Sequence, residues 1–505
     1  MRKNLLALSI AAMVGGLSGA ANAAVINDPA VTTTTLAPTT TGVGHILVVP
    51  YFNTQGSFKS LLNIVNTDTV NGKAVKLRYR GAANSDDLFD ITVFLSPGDM
   101  WTANVSADAD GFSRLETNDT SCTLPSIADI KADSNGRFKT NRVRGGLASE
   151  TREGYIEILN TADIPPATTG LFPAIKHVAG KAPCTAAVMD LQETDLADLA
   201  DANDRGYDFP TGGLAANWVL VNVEGAASHS GNAYAVRAQD TTTGANAAGN
   251  IVWFPQTTAA PTYPATGDVT WFTADPLLAS TGFASQVANY DFPDLSTPYT
   301  TAVGASAAAT QADELTRALA TASVSNEYLT ASGFGTDWVF SMPTRRYHVA
   351  MNYAASGAAR VLFRGATTAA PAGTSAWFTP GNTSISADAN LICVTPGSMR
   401  GYDREETTQS TFVISPSQGL KLCGETSVLS FNNTGASVLG AQIARNNVAT
   451  RYAEGWLNIA TPAAASTVTI GGTALSTIGL PVIGFAAAKV NGNNLGGTWE
   501  HRYSR

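Results

Sequence analysis

Apolar and polar residues alternate along much of the chain, most clearly between Ser60 and Val105. From Val75 to Arg80, an aliphatic or aromatic residue occupies every second position, and a lysine or arginine follows each one. This period of two is that of a β-strand, whose successive side chains point to opposite faces of a sheet. The pattern predicts strands with one face in a core and the other face in water.

Two turn sequences divide this region. Asn71-Gly72 predicts a tight turn with a positive φ, and Ser96-Pro97-Gly98-Asp99 predicts a type II turn with Gly98 at the positive-φ position. Strands joined by such short turns are usually neighbours in one sheet. We therefore expect an antiparallel meander of a β-sandwich here.

The same reasoning gives an all-β fold for the whole chain. Further strands are predicted at 155–159, 218–223, 234–237, 251–254, 269–272, 338–341, 347–353, 361–364, 411–414, 428–431, 456–459 and 468–470. Helices are predicted only at 187–202 and 311–322. We expect antiparallel β-sandwich domains, immunoglobulin-like or jelly-roll-like, with a few short helices.

Residues 1–23 have the three zones of a signal peptide. Arg2 and Lys3 precede a short apolar stretch, and Ala21-Asn22-Ala23 places small residues where a signal peptidase cleaves. The prediction is an exported protein at the cell surface or outside the cell, cleaved after Ala23. The predicted organisation continues with a Thr/Pro-rich lead-in (24–42), an N-terminal β-sandwich domain (43–260), a linker region with a short helix (261–325) and a C-terminal β-rich domain (326–505).

The charge and the hydrophobic segments of the chain limit the partners that it can be expected to bind. Only 14% of residues are charged and the formal net charge is −9, which becomes −11 once Arg2 and Lys3 are removed. An acidic chain without a basic cluster is a poor ligand for nucleic acid, so none is expected. No later segment reaches transmembrane length, so the mature chain is expected to lack a transmembrane segment.

The chain has four cysteines, Cys122, Cys184, Cys393 and Cys423. An even number in an exported chain favours two disulfides, and four cysteines allow three connectivities. Proximity along the chain favours Cys122–Cys184 and Cys393–Cys423. Free buried thiols and a four-thiolate zinc site are the alternatives, and no C-x2-C pair supports the second.

A search for catalytic motifs finds none. The five histidines lack metal-ligand spacing and are expected to be hydrogen-bonding residues of strands and loops. Carboxylates at Asp86, Asp87, Asp90, Glu153 and Glu454 are candidates for a glycosidase pair, with surface or turn roles as the alternative. We therefore expect no enzyme, no catalytic residue and no bound cofactor.

Calcium binding is the better site hypothesis. Residues 106–111, Ser-Ala-Asp-Ala-Asp-Gly, resemble a calcium loop in which alternate oxygens converge on the cation. Asp108 and Asp110 would be ligands. The match departs at Ser106, and Glu116 comes one residue early, so a solvated turn is the alternative.

Several stretches together resemble a poorly characterised family of proteobacterial cell-surface or surface-layer-like proteins. They are residues 45–52 (His-Ile-Leu-Val-Val-Pro-Tyr-Phe), 62–103, 336–344 (Thr-Asp-Trp-Val-Phe-Ser-Met-Pro-Thr) and 499–505 (Trp-Glu-His-Arg-Tyr-Ser-Arg). The resemblance implies a surface location and a structural role. It implies no catalytic residues.

Three functions follow as hypotheses. The first is a surface structural protein that self-associates as a surface-layer-like coat, with exposed strand edges as contacts and outer-membrane lipopolysaccharide as a further partner. The second is a monomeric adhesin or glycan-binding protein with exposed aromatic platforms at Trp101, Trp271 or Trp338. The third is a secreted polysaccharide hydrolase, which needs two facing carboxylates in a cleft.

Overall fold

A computed structural model describes most of the chain after the predicted signal peptide. The described residues are 24–26, 34–140, 143–194, 196–240, 242–253, 307–351, 356–364, 373, 375–417, 419–431, 436–465, 467–470, 473–490 and 496–505. The signal peptide, the predicted strand 269–272 and Trp271 lie outside these residues, as does the first part of the predicted linker region.

Two large sheets form the N-terminal half. Its strands are β1 (Ala24–Ile26), β2 (Thr34–Pro38), β3 (Ile46–Asn53), β4 (Lys59–Asn66), β5 (Gly72–Gly81), β6 (Asp87–Leu95), β7 (Met100–Ala107), β8 (Ser113–Glu116), β9 (Cys122–Leu124), β10 (Glu153–Ile164), β11 (Leu214–Asn222), β12 (Ala227–Asn232), β13 (Tyr234–Asp240) and β14 (Ile251–Trp253). The first sheet has seven strands in the order β2-β13-β3-β10-β5-β6-β9, and the second has five in the order β12-β11-β4-β7-β8. Strands β1 and β14 form a separate pair.

Two further large sheets form the C-terminal half. Its strands are β15 (Ala320–Thr321), β16 (Ser323–Leu329), β17 (Phe334–Ser341), β18 (Val349–Met351), β19 (Val361–Phe363), β20 (Thr383–Ile385), β21 (Ile392–Val394), β22 (Met399–Tyr402), β23 (Thr408–Gln409), β24 (Val413–Ser415), β25 (Leu422–Cys423), β26 (Thr426–Phe431), β27 (Arg445–Ala449), β28 (Glu454–Ala460), β29 (Thr467–Ile470), β30 (Thr473–Ser476), β31 (Leu480–Pro481), β32 (Ile483–Val490), β33 (Gly496–Glu500) and β34 (Arg502–Ser504). One sheet has the order β23-β22-β28-β16-β34 and the other the order β24-β27-β26-β17-β32-β33. Strands β26 and β27 pair in parallel, and the other pairs in these two sheets are antiparallel.

Short helices interrupt the strands, and the predicted all-β class is confirmed. Within the described residues the α-helices are α1 (Ile127–Ser134), α2 (Leu171–Ile175), α3 (Ala186–Met189), α4 (Leu199–Asp204) and α5 (Ala307–Leu319). Helix α5 accounts for the helix predicted at 311–322. The helix predicted at 187–202 is instead divided, because Asp198 caps a new helix by accepting a hydrogen bond from the backbone N–H of Asp201.

The predicted meander is wrong in its connections. Strands β4 and β7 pair with each other in the five-stranded sheet, whereas β5 and β6 pair in the seven-stranded sheet. The chain therefore crosses between the two sheets after β4 and again after β6. Gly98 has the expected positive φ of 72°, but neither Asn71 nor Gly72 has a positive φ, because that segment connects two sheets and does not form a hairpin.

The prediction of a water-facing side for β5 is also wrong. The side chains between the core positions are buried, and Lys76, Arg78 and Arg80 are only 1%, 2% and 4% exposed. The reason is that residues of the C-terminal half, including Arg346, approach this face of the seven-stranded sheet. A face that would be solvated in an isolated sandwich is therefore enclosed.

The hydrophobic core is continuous between the two halves. Val339, Val428 and Phe485 of the C-terminal strands belong to the same buried cluster as the inner faces of the N-terminal sandwich. The rings of Trp218 and Phe485 have centroids 4.5 Å apart. Another cluster fills the C-terminal half itself, and α5 packs on the seven-stranded sheet.

Candidate functional site

Four buried charged side chains meet where the C-terminal half covers the seven-stranded sheet. Arg78 and Arg80 come from β5, Glu157 from β10, and Arg346 from the turn after β17. We call this group the central charge cluster. Strand register explains its assembly, because Arg78 lies directly opposite Glu157 on one side and Asp90 on the other. Opposite charges at facing positions of neighbouring strands stabilise a sheet.

Glu157 is the centre of the cluster. One carboxylate oxygen lies 2.7 Å from Arg346 Nη1, and the other lies 3.5 Å from Arg80 Nε and 3.8 Å from Arg78 Nη1. Burial by itself raises the pKa of Glu157, but the positive charges of the three arginines outweigh burial and hold that pKa below its ordinary value. Glu157 is therefore ionised at neutral pH.

A second buried pair extends the cluster into the C-terminal half. Glu425 Oε2 lies 2.7 Å from Arg345 Nη2, and Glu425 Oε1 accepts a hydrogen bond of 3.2 Å from the backbone N–H of Arg346. Burial raises the pKa of Glu425, and the nearby arginines only partly offset that effect. The backbone N–H of Glu425 also donates to the carbonyl of Ala82 at 2.7 Å. The same segment therefore joins the halves through both side chains and backbone.

The arrangement is suited to holding surfaces together. The carboxylate oxygens of Glu157 and Glu425 already contact arginines or backbone donors of the protein itself. Within the part of the chain that the structure describes, no three His, Cys, Asp or Glu side chains are placed to hold a metal ion. The cluster therefore joins the two halves through buried ion pairs and hydrogen bonds, and we call it a buried joint.

Asp108 and Asp110, the candidate calcium ligands, lie together beside Arg137. Arg137 Nε is 2.5 Å from Asp108 Oδ2, and another Arg137 nitrogen bonds to Asp110. The remaining oxygen of Asp108 accepts backbone hydrogen bonds from Asp110 and Phe112. In this arrangement a guanidinium supplies the positive charge, so calcium binding stays a prediction that requires Arg137 to move.

The four cysteines form two disulfides. Cys122 pairs with Cys184 and Cys393 with Cys423, as proximity along the chain predicts. The first disulfide connects edge strand β9 to the segment between α2 and α3. The second joins the neighbouring strands β21 and β25.

Three of the carboxylates considered for hydrolysis contact basic or hydrogen-bonding groups of the protein. Glu153 is buried and accepts hydrogen bonds from Tyr51, Gln55 and two backbone N–H groups. Asp90 pairs with Lys76, and Glu454 lies on the surface beside Arg404. Burial raises the pKa of Glu153 despite those hydrogen bonds. Each of these three carboxylates therefore has a partner within the protein.

The buried histidines serve as hydrogen-bonding residues of the fold. His45 contacts the carbonyl of Ala247, and His501 contacts the carbonyl of Val339. Burial lowers the pKa of each to about 3, so both are neutral at pH 7. Of the three aromatic platforms predicted from sequence, Trp101 and Trp338 are fully buried, which removes the support they would give to glycan binding.

Sequence reasoning missed the central charge cluster. A signal for it was present in β5, where three basic residues alternate with apolar ones in a chain with few charges. The acidic partner of Arg78 and Arg80 is Glu157 on β10, and Glu157 also pairs with Arg346, which lies 189 positions further along the chain. The alternation of apolar and basic residues shows that the strand has two different faces. It does not show that a distant part of the chain covers the basic face.

Comparisons with known proteins identify no relative of this chain. No family model matches the chain, and neither does any curated protein or solved structure. Within the described residues, every helix is too short or too polar to span a lipid bilayer.

Proposed function

We propose that this chain is an exported cell-surface structural protein that self-associates as a surface-layer-like coat. The observation that carries the proposal is the buried joint between the two halves. Glu157, Arg346, Arg345 and Glu425 are all nearly fully enclosed, and two hydrophobic clusters each contain residues of both halves. Such an interior keeps two sandwiches in one fixed arrangement, which is the property a repeating unit of a coat needs.

Disulfides support the export part of the proposal. Both pairs of cysteines are joined, and disulfides persist mainly in oxidising compartments outside the cytoplasm. Each closes a loop, of 62 and 30 residues, and stabilises the native state by about 2–4 kcal/mol. The predicted signal peptide points to the same location.

Two sheet edges in the described part of the chain are covered by the chain itself. The N–H of Leu36 on edge strand β2 donates to Glu314 of α5 at 3.1 Å, and the N–H of Leu115 on edge strand β8 donates to the carbonyl of Gly136. Covered edges prevent open-ended pairing between copies. Pairing between copies is therefore disfavoured at these two edges and is left to end strands without such a cover.

Strand β24 is the best candidate for such a surface. It is the last strand of its six-stranded sheet, and the Val413 side chain on it is 74% exposed. An apolar side chain on an end strand favours pairing with a strand of another copy. We propose β24 as one lateral contact of the coat.

Sedimentation velocity of the secreted, mature protein tests this contact. We expect concentration-dependent oligomers for the wild type and a shift towards monomer for Val413→Glu, because a charge opposes burial at a contact. Val223→Glu is the matched control, because Val223 is 80% exposed but lies outside the strands, and it should sediment like the wild type. Monomeric wild type at every concentration contradicts the coat.

Cell fractionation tests the location separately. We expect the mature protein in the surface fraction, beginning at Ala24 by N-terminal sequencing. Repeating the extraction with a calcium chelator tests whether divalent cations bridge the protein to lipopolysaccharide phosphates. An uncleaved chain in the cytosol contradicts the proposal.

A further inference from the structure

A groove of about 510 Å³ crosses the outer face of the N-terminal five-stranded sheet. Strands β11, β4, β7 and β8 form its floor, and the C-terminal part of α1 contributes Lys131 and Asn135 at one side. Ligand pockets commonly occupy about 300–1,000 Å³. The groove is therefore large enough for a small ligand or one segment of a chain.

The residues on the floor of the groove form rows, because the register of the strands places them opposite one another. Val219, Leu61, Asn104 and Glu116 face one another on four successive strands. Neighbouring strands lie about 4.8 Å apart, so this row extends for about 14 Å. Asn63 on β4 and Thr102 on β7 form a second, parallel row on the same face.

Two side chains in the groove have unused hydrogen-bonding capacity. Among the described residues, neither the amide of Asn63 nor the hydroxyl of Thr102 has a hydrogen-bonding partner in the protein. Both residues are partly buried, whereas Leu61 beside them is 37% exposed and provides an apolar surface. The groove thus offers donors and acceptors next to an aliphatic strip.

The chemistry of this lining selects the kind of ligand. Amides and hydroxyls both donate and accept, as sugar hydroxyls do, and the aliphatic strip suits the C–H face of a sugar ring. Glu116 and Lys131 contribute opposite charges, so the lining as a whole has little net charge. Such a lining is complementary to a neutral ligand and poorly suited to a phosphate or a polyanion.

We propose that this groove binds a segment of a neutral oligosaccharide. The hydroxyls bond to Asn63, to Thr102 and to the side-chain oxygen of Asn104, whose Nδ2 donates to the carbonyl of Glu116, and the ring packs on Leu61. The proposal goes beyond the structural role and does not rest on it, because the groove is formed within a single copy and lies on a different sheet from β24.

A glycan array with purified mature protein tests the proposal. The array carries neutral gluco-, manno-, galacto- and xylo-oligosaccharides, acidic oligogalacturonates and a set of unrelated peptides. We expect binding to at least one neutral class and none to the acidic oligosaccharides or peptides. Binding confined to acidic sugars or peptides, or binding to nothing on the array, overturns the proposal.

Variants locate the binding. We expect Asn63→Leu and Asn104→Leu each to weaken binding of the best neutral oligosaccharide at least tenfold in titration calorimetry, while circular dichroism and Tm stay those of the wild type. Asn458→Leu is the control for an asparagine on the outer face of a strand outside the groove; its amide donates to Ser323 and Ser325, and the variant should bind like the wild type. Wild-type affinity in both groove variants overturns the proposal. The same titration with Val413→Glu separates it from the coat, since loss of assembly should leave binding unchanged.

Discussion

At the scale of single residues, the charged side chains that stand out in the sequence contact other charged side chains of the same protein. Glu157 has three arginine neighbours, and Arg137 lies between Asp108 and Asp110, where sequence predicted a metal. The sequence shows the types of these residues, but it cannot show which of them become buried neighbours. The carboxylates in residues 106–111 can pair with any positively charged group. Here that group is the guanidinium of Arg137, which lies 26 positions further along the chain.

Removal of the charge at Glu157 should destabilise the protein strongly. In Glu157→Gln, three buried guanidinium groups lose their common carboxylate, and loss of one partner of a buried ion pair costs about 3–5 kcal/mol. Urea unfolding at pH 7 measures the change in the free energy of unfolding. Glu327→Gln is the control, because Glu327 pairs with Arg502 on the exposed surface, where solvent screens the charges. Equal losses for the two variants contradict the role given to the cluster.

His501 should make stability depend on acid. Burial lowers the pKa of His501 from 6.5 to about 3, so below pH 6.5 the unfolded chain binds a proton that the native state does not. Its contribution is present above pH 6.5 and is lost as the pH falls towards 3. Between pH 6 and 4 the free energy of unfolding of His501→Gln should fall less steeply than that of the wild type, by about 1.4 kcal/mol per pH unit.

The comparison of the two slopes tests the burial of His501. If His501→Gln and the wild type have the same slope in urea titrations at these pH values, His501 is not buried as described.

At the scale of elements, period and turn chemistry predict strands well and their partners poorly. The alternation in 75–80 correctly predicts β5, and Pro97-Gly98 correctly predicts the turn before β7. The sheet to which each strand belongs was not predictable, because a turn sequence can join two strands of one sheet or connect two facing sheets. The burial of Arg78 and Arg80 was not predictable either, since it depends on a segment more than 250 positions away.

Close approach of strands β10 and β5 should make Gly154 irreplaceable. A Cβ at this position would lie 1.7 Å from the carbonyl oxygen of Arg80, which is backbone and cannot turn aside. Gly154→Ala should lower the free energy of unfolding by about 1–3 kcal/mol or more, by urea unfolding. Gly381→Ala is the control, because its nearest neighbour would be a side-chain oxygen at 3.4 Å. Unchanged stability in Gly154→Ala would show that the two strands are further apart.

At the scale of the whole molecule, the two halves share one interior. The cluster that contains Val339 and Phe485 also contains the N-terminal sandwich core, and the central charge cluster crosses the same boundary. From the sequence we expected separate N-terminal and C-terminal domains. That division follows the linear pattern of the chain and carries no information on contacts between distant segments.

A shared interior should give cooperative unfolding. Differential scanning calorimetry of the mature, oxidised protein is expected to show one transition, because exposure of either half removes part of the core of the other. Glu157→Gln should shift that transition to lower temperature without dividing it. Two well-separated transitions in the wild type would show that the halves are independent.

The most direct test of the proposed function is cryo-electron tomography of intact cells that produce the protein and of cells that lack its gene. We predict a regular layer on the outer surface of the producing cells and its disappearance in the deletion strain. Identical, layer-free envelopes in the two strains, with the protein folded and abundant, would contradict the account.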